Sequence, residues 1–264
     1  MASWLPSAGE DLQEAYLEEA EALREAILDQ FWDDDAGAFT DGPGNYTLHP
    51  QDANSLALAY GIVSPNSTEA SRVSDYLASN WTPIGPVTPE LPENISPFIS
   101  SVELQAHIRA GRPDRSVELM RTLWGWYLEH ENGTQSTTPE GFLVDGSWGY
   151  RFNYEYNNGP AYTSHAHCWG SGPTAVLTEG VVGLRVTEPA GRKWEVGPAS
   201  FGVLGEAQAG FTTGLGRFSA GFKVEGGEAV VEWDTPEGTE GVLRLPGREP
   251  VEVPGGKDSV VVSV

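Results

Sequence analysis

A chain of 264 residues, 39% hydrophobic and 10% aromatic, is long and apolar enough to bury a core in one large domain or two small ones, which excludes a disordered acidic tail. Fifteen Lys and Arg against 38 Asp and Glu give a formal charge of -23, a field that repels phosphate backbones and anionic headgroups, so neither nucleic acid nor a membrane is expected as a partner. A single cysteine, Cys168, excludes an intrachain disulfide.

The first ten residues lack the basic and apolar regions of a signal peptide, and no run approaches a membrane span. From Asp11 to Phe31 the residues Leu12, Ala15, Tyr16, Leu23, Ala26, Ile27 and Phe31 recur mostly at three- and four-residue steps, predicting an amphipathic helix that ends in the turn at Asp33–Gly37. A second helix is expected from Asp52 to about Tyr60, with Asp52 as N-cap and Gly61 as terminator. Asn66 with Glu69 makes a capping-box-like start to a third, through Leu77. Ser96-Pro97 opens a fourth that Gly111 closes, and Pro113-Asp114 opens a fifth to about Leu128. The sixth runs from near Ser164 to Leu184, its regular part beginning around Pro173 because Gly170, Gly172 and Pro173 disturb the first turns.

Between the fifth and sixth helices, Glu129 to Thr163 is rich in Gly, Asn, Ser, Thr and aromatics, and a loop this long inside a compact domain is usually functional. After Thr187 the texture changes to glycine-punctuated, β-branched runs at 228–234, 241–246 and 259–264, which read as strands. Thr235–Glu240 supplies turn chemistry for a hairpin between two of them, predicting a small antiparallel β-sandwich. The expected domains are therefore 1–186 and 187–264.

Five of the nine asparagines lie in N-x-[ST] sequons (Asn45, Asn66, Asn80, Asn94 and Asn132), where chance predicts about one. The excess points to a secreted glycoprotein whose signal would belong to a longer natural chain. Neither a phosphate-cradling glycine loop nor a metal-ligand cluster is visible, so metal- and cofactor-independent chemistry is the default.

Hydrolysis of a glycosidic bond needs two carboxyl groups, and a catalytic one belongs on a loop among aromatics rather than on a solvated helix face. Glu140, in Gly133-Thr-Gln-Ser-Thr-Thr-Pro-Glu-Gly-Phe142, meets that test; Asp145 and Glu155 meet it less well. The acids of the first helix, Glu14, Glu18, Glu19, Glu21 and Glu25, form a solvated face.

The Glu140 segment, with Asp145-Gly-Ser after it, resembles the part of fungal family 78 α-L-rhamnosidases that carries the catalytic base. Three more stretches agree in order and spacing: His49-Pro-Gln-Asp-Ala-Asn-Ser-Leu-Ala-Leu58, Leu91-Pro-Glu-Asn-Ile-Ser-Pro-Phe-Ile-Ser100 and Tyr162-Thr-Ser-His-Ala-His-Cys-Trp-Gly-Ser-Gly-Pro-Thr174. The resemblance implies an (α/α)6 barrel followed by a C-terminal β-domain, and an inverting reaction with Glu140 as general base on rhamnose-containing glycosides. It maps substrate contacts onto His167, with Trp148, Trp169, Gln51 and Asp52 as further pocket lining. Six helices make about half of such a ring, so the general acid is expected upstream, and the open half leaves self-association or a missing N-terminal segment as alternatives. A non-catalytic carbohydrate-binding fragment and an α/α-barrel glycosidase acting on another sugar are the competing readings.

Overall fold

A computed structural model describes residues 10–44, 46–152 and 160–264. Two compact units divide the chain: Glu14–Pro173, and Thr174–Val264 together with the start of the first helix. The former is mainly helical and the latter mainly sheet, which makes this an α plus β protein.

In the helical unit α1 (Glu10–Phe31) runs into a two-residue ladder of β1 (Trp32–Asp33) and β2 (Ala38–Phe39). Asp33 Oδ1 closes the intervening turn by accepting from the amides of Asp35 and Ala36 at 3.0 and 3.2 Å, and Gly37 takes a φ of 68°. α2 (Gln51–Ala59) and α3 (Thr68–Ser79) follow, then the short hairpin β3 (Trp81–Thr82) and β4 (Gly85–Pro86), then β5 (Asn94–Ile95) and α4 (Pro97–Arg109). Ser96 and Pro97 start α4 and Gly111, at φ 73°, lies just beyond its end, as the punctuation predicts. α5 (113–129) contains a π-turn at Met120–Trp124, whose extra residue rotates the last turns relative to the first.

The long loop is not structureless: β6 (Phe142–Leu143) pairs antiparallel with β5, and Val144 N donates to Glu93 O at 2.9 Å. α6 (172–181) begins as Gly172–Ala175 and continues as a π-helix over Val176–Val181, while 164–171 holds only the 3-10 turn Cys168–Gly170. The sixth helix thus starts at the glycine-proline pair and not at Ser164.

Two expected caps are corrected. α2 begins one residue early, after Pro50, and the carboxylate of Glu90 accepts from the amides of Gln51 and Asp52 at 2.8 and 3.3 Å; Asp52 Oδ1 accepts only from its neighbour Ala53 N, at 2.6 Å. A carboxylate borrowed from a distant segment replaces the local cap because Pro50 has no capping side chain. Ser67, not Asn66, caps α3, its Oγ accepting from Ala70 N at 3.1 Å, and Asn66 precedes it with a left-handed φ of 59°.

Phe39, Leu58, Val63, Ala70, Val73, Leu77 and Ala106 form the apolar core, onto which Ile27, Leu28 and Phe31 of α1 pack. A buried polar cluster completes the packing. Glu103 is fully buried and accepts from Trp81 Nε1 and from Gln51 Nε2, each at 2.6 Å, and its Oε1 lies 3.2 Å from His107 Nε2. The other ring nitrogen of His107 lies 2.8 Å from Ser74 Oγ, which accepts from Arg115 at 2.7 Å. With Glu103 as acceptor, Nε2 carries the donated proton and Nδ1 accepts from the Ser74 hydroxyl, so the whole chain of bonds is satisfied in one direction. It joins α2, α3, α4, α5 and β3.

The second unit contains β7 (Leu184–Val186), β8 (Lys193–Val196), β9 (Glu206–Thr213), β10 (Gly216–Glu225), β11 (Glu228–Leu243) and β12 (Val251–Ser263) in one six-stranded sheet, ordered β7-β8-β11-β10-β9 with β12 also on β11. The expected hairpin at Thr235–Glu240 is instead an irregularity inside β11, where the register against β12 shifts and Gly238 has φ 78°. Before it β11 pairs with β10; after it, Glu240–Leu243 pairs parallel with β8. The pairing is therefore mixed rather than purely antiparallel, and Pro236 interrupts it without ending the strand. Ala229, Val231 and Trp233 alternate inward against outward Glu228, Val230, Glu232 and Asp234.

Trp194, fully buried on β8, ties the irregularity down: its indole N–H donates to Thr239 Oγ1 at 2.9 Å, and Thr239 donates to Pro236 O at 2.7 Å. Gly241 stands opposite Trp194, and a Cβ there would overlap the indole ring. Gly241→Ala should therefore destabilise the sheet unit by about 1–3 kcal/mol through overpacking, seen as a lowered urea midpoint; an unchanged midpoint would refute the packing account. In the helical unit Glu103→Leu, which removes the acceptor shared by Trp81, Gln51 and His107, should cost about 3–5 kcal/mol and Glu103→Gln distinctly less. Equal unfolding midpoints for the two variants would show that the carboxylate does not organise the cluster.

Candidate active site

Glu140 is positioned by two segments laced side by side. Its amide donates to Ser164 O at 2.8 Å, and Ser164 N returns a bond to its Oε2 at 3.0 Å. Further along, Thr137 Oγ1 donates to His165 O, and His167 N donates to Thr138 O at 2.6 Å. Residues 137–140 thus run antiparallel to 164–167. Glu140 is only 9% exposed, and one oxygen of its carboxylate is oriented by a backbone N–H.

The lacing is anchored from beneath. Tyr127, on α5, is buried, its carbonyl accepts from Gln135 N at 2.9 Å, and burial pushes its phenol up to about 12, so it stays neutral. Trp124 Nε1 donates to Gly170 O at 2.8 Å, and a Cβ on Gly170 would strike Thr138. Gly141 similarly leaves room for the ring of Tyr150, whose phenol is raised by burial and, in smaller part, by the charge of Glu140. Asn94 Oδ1 accepts from Arg151 N at 2.8 Å, which fixes the chain beyond Tyr150.

Aromatic rings flank these segments. Trp148 stacks on His165 at 4.2 Å between centroids, and both line a cavity of about 820 Å³ with Leu143, Phe152 and Thr163. Thr163 is buried, and among the described residues its hydroxyl has no partner. His167 lies 4.3 Å from Trp169, which stacks on Phe98 of α4 at 4.7 Å. Glu140, Trp148, His167 and Trp169 are thus carried by one pair of loops. Gln51 and Asp52 stand at the start of α2, where Gln51 is held by Glu103 and by Ser100 of α4. Asp145 is exposed and its carboxylate is held low by Ser147, whose amide it caps at 2.9 Å, a turn-forming role. Glu155 lies outside the described residues. Among the described residues no group of three or more His, Cys, Asp or Glu could hold a metal ion.

Sequence reasoning gave no role to Thr163 and His165, although both lie inside the Tyr162–Thr174 stretch, which was the available signal; Glu90 lies outside every stretch singled out.

Residues 183–259 match the family model of the bacterial alpha-L-rhamnosidase C-terminal domain. No curated protein shows significant sequence similarity to the chain. Among solved structures, the native alpha-L-rhamnosidase of Aspergillus terreus matches with a TM-score of 0.68 at 20% identity, over 95% of this chain and 27% of that one. The Streptomyces avermitilis alpha-L-rhamnosidase complexed with L-rhamnose gives 0.67 at 17%, over 95% and 24%. The alpha-L-rhamnosidase of Dictyoglumus thermophilum gives 0.68 at 16%, over 97% and 29%. At these identities the likeness is one of fold, and the chain spans about a quarter of the length of those structures.

Glu90 yields a pH test. Burial raises its carboxyl above the ordinary glutamate value of 4.5, only partly offset by the amides it accepts. A carboxyl raised in the folded state stabilises the fold below its unfolded value and loses that contribution as pH rises through the folded one. The stability difference between wild type and Glu90→Gln should therefore shift against the wild type as pH rises from the ordinary glutamate value of 4.5 through the raised one. A pH-independent difference in urea midpoints would sink this assignment.

Proposed function

We propose that this chain, whose residues 183–259 match the bacterial alpha-L-rhamnosidase C-terminal domain, supplies the catalytic base and part of the sugar pocket of a secreted enzyme hydrolysing terminal α-L-rhamnosides. In this reading the helices form about half of an (α/α)6 ring, and the sheet unit is its C-terminal β-domain. The observation that carries the proposal is Glu140: a buried carboxylate, oriented by Ser164 N, on a loop pair bearing Trp148, His165, His167 and Trp169.

As general base Glu140 takes a proton from water, and the hydroxide equivalent attacks the anomeric carbon from the face opposite the leaving oxygen. A general acid on another part of the longer enzyme, on the order of 6.5–9.5 Å away, protonates the departing aglycone, and configuration inverts. The Ser164 amide aims the base before reaction, so less reorganisation is needed in the transition state. The exposed faces of Trp169 and His165 suit the apolar face of a 6-deoxy sugar, while His167 offers a hydrogen bond to a hydroxyl. The sequon excess supports passage through the secretory route.

The test is hydrolysis of p-nitrophenyl α-L-rhamnoside by the chain extended to the length of its solved relatives. Glu140→Gln should lower kcat by about 10²- to 10⁴-fold while leaving KM and the unfolding midpoint nearly unchanged. A Glu140→Gln enzyme with wild-type kcat removes Glu140 from the mechanism. Rhamnose binding without turnover in the extended wild type would favour a carbohydrate-binding role instead.

A further inference from the structure

The sequons differ sharply in what the fold does with their asparagines. Asn94 is 2% exposed on β5, its Nδ2 donating to Pro92 O at 2.8 Å while its Oδ1 holds Arg151 N. Asn80 caps the end of α3, is partly buried, and donates Nδ2 to Tyr76 O at 3.2 Å. A glycan on either amide would leave Nδ2 a single hydrogen and needs open space beside it, and at the buried Asn94 it would force apart the β5–β6 pairing that leads to the Tyr150 segment. Asn66 and Asn132 are exposed instead. Asn66 stands in a left-handed turn before α3, and Asn132 in the turn after α5, where its own amide N–H donates to His130 Nδ1 at 3.1 Å.

The same division is written in the sequence. Thr82 and Ser96, the hydroxyl residues of the Asn80 and Asn94 sequons, are each followed by proline, Pro83 and Pro97; Thr68 and Thr134 of the other two are followed by Glu69 and Gln135. A residue before proline is confined to extended backbone, and Ser96 has φ -114° and ψ 107°. An amide is a poor nucleophile, and transfer to it requires the sequon to fold back so that the hydroxyl reaches the asparagine side chain. Proline at the next position opposes that turn in the unfolded chain, before any burial exists.

We propose that Asn66 and Asn132 are N-glycan acceptors, and that Pro83 and Pro97 keep Asn80 and Asn94 unmodified so that they can serve the fold. The donor is an oligosaccharide linked to a polyprenyl diphosphate. Nδ2 forms a bond to the first sugar's anomeric carbon, the bond from that carbon to the diphosphate oxygen breaks, the polyprenyl diphosphate leaves with the electron pair, and the amide loses one proton. This inference shares only the secretory route with the functional reading, and its test involves no turnover.

The full chain, fused to a secretion signal and expressed in yeast, is mapped by mass spectrometry after enzymatic glycan release in heavy-oxygen water, which marks each formerly occupied asparagine. Asn45 lies outside the described residues and is left out of the comparison. Marking of Asn66 and Asn132, with Asn80 and Asn94 unmarked, is expected. Marking of Asn80 or Asn94, or its absence at Asn66 or Asn132, overturns the assignment. Pro83→Ala and Pro97→Ala, read on total rather than secreted chain so that folding does not enter, should bring marking to Asn80 and Asn94 respectively. No marking in either would overturn the role given to the prolines, whereas loss of secretion only from the fraction marked at Asn94 is the further expected result.

Discussion

The helical unit depends on one carboxylate. Glu103 is fully buried and takes hydrogen bonds from α2 through Gln51, from β3 through Trp81 and from its own helix through His107. Burying a charge without partners is costly, so these donors are a condition of the helices meeting at all, and apolar packing of Leu58, Leu77 and Ala106 proceeds around them. Because each bond has a direction, the cluster also selects one register among the many that greasy faces would tolerate.

From that fixed frame the loops inherit their precision. α4 carries Phe98 and α5 carries Trp124 and Tyr127, and these reach the paired segments through ring stacking, the Gly170 carbonyl and the Tyr127 carbonyl. Glu140 is therefore held by a short ladder of backbone bonds whose ends rest on helices. The catalytic role proposed for Glu140 would gain from such support, because a small misplacement of a base is expensive in rate.

Much of this was legible in the sequence where the physics is local. Pro97, Gly111 and Pro113 mark helix ends because proline and glycine act on their own backbone, and the periodicity of α1 follows from its neighbours. Glu140 stood out because hydroxyl-rich and aromatic residues crowd its loop. Illegible features were those made by residues far apart in the chain. Glu90 caps α2 from 39 residues away, and Glu103 with His107 looks like an ordinary surface pair until Trp81 and Gln51 are brought to it. Pro236 and Gly238 look like a turn because local chemistry does not reveal that β12 and β8 continue to pair beyond them. Which site residues share a loop pair, and that Gln51 serves Glu103, likewise required the fold.

The partner change within β11 also orders the assembly of the sheet in time. β9, β10 and the first half of β11 are successive in sequence and close through tight turns, so their pairing carries little loop entropy. The parallel pairing of β8 with Glu240–Leu243 has to close a loop containing that entire meander, since Lys193 meets Glu240. Contact-order arguments make this the slow junction, and the indole of Trp194 can find Thr239 only when it forms. The strand that links the two halves thereby makes the sheet's completion a late, non-local event rather than the sum of two hairpins.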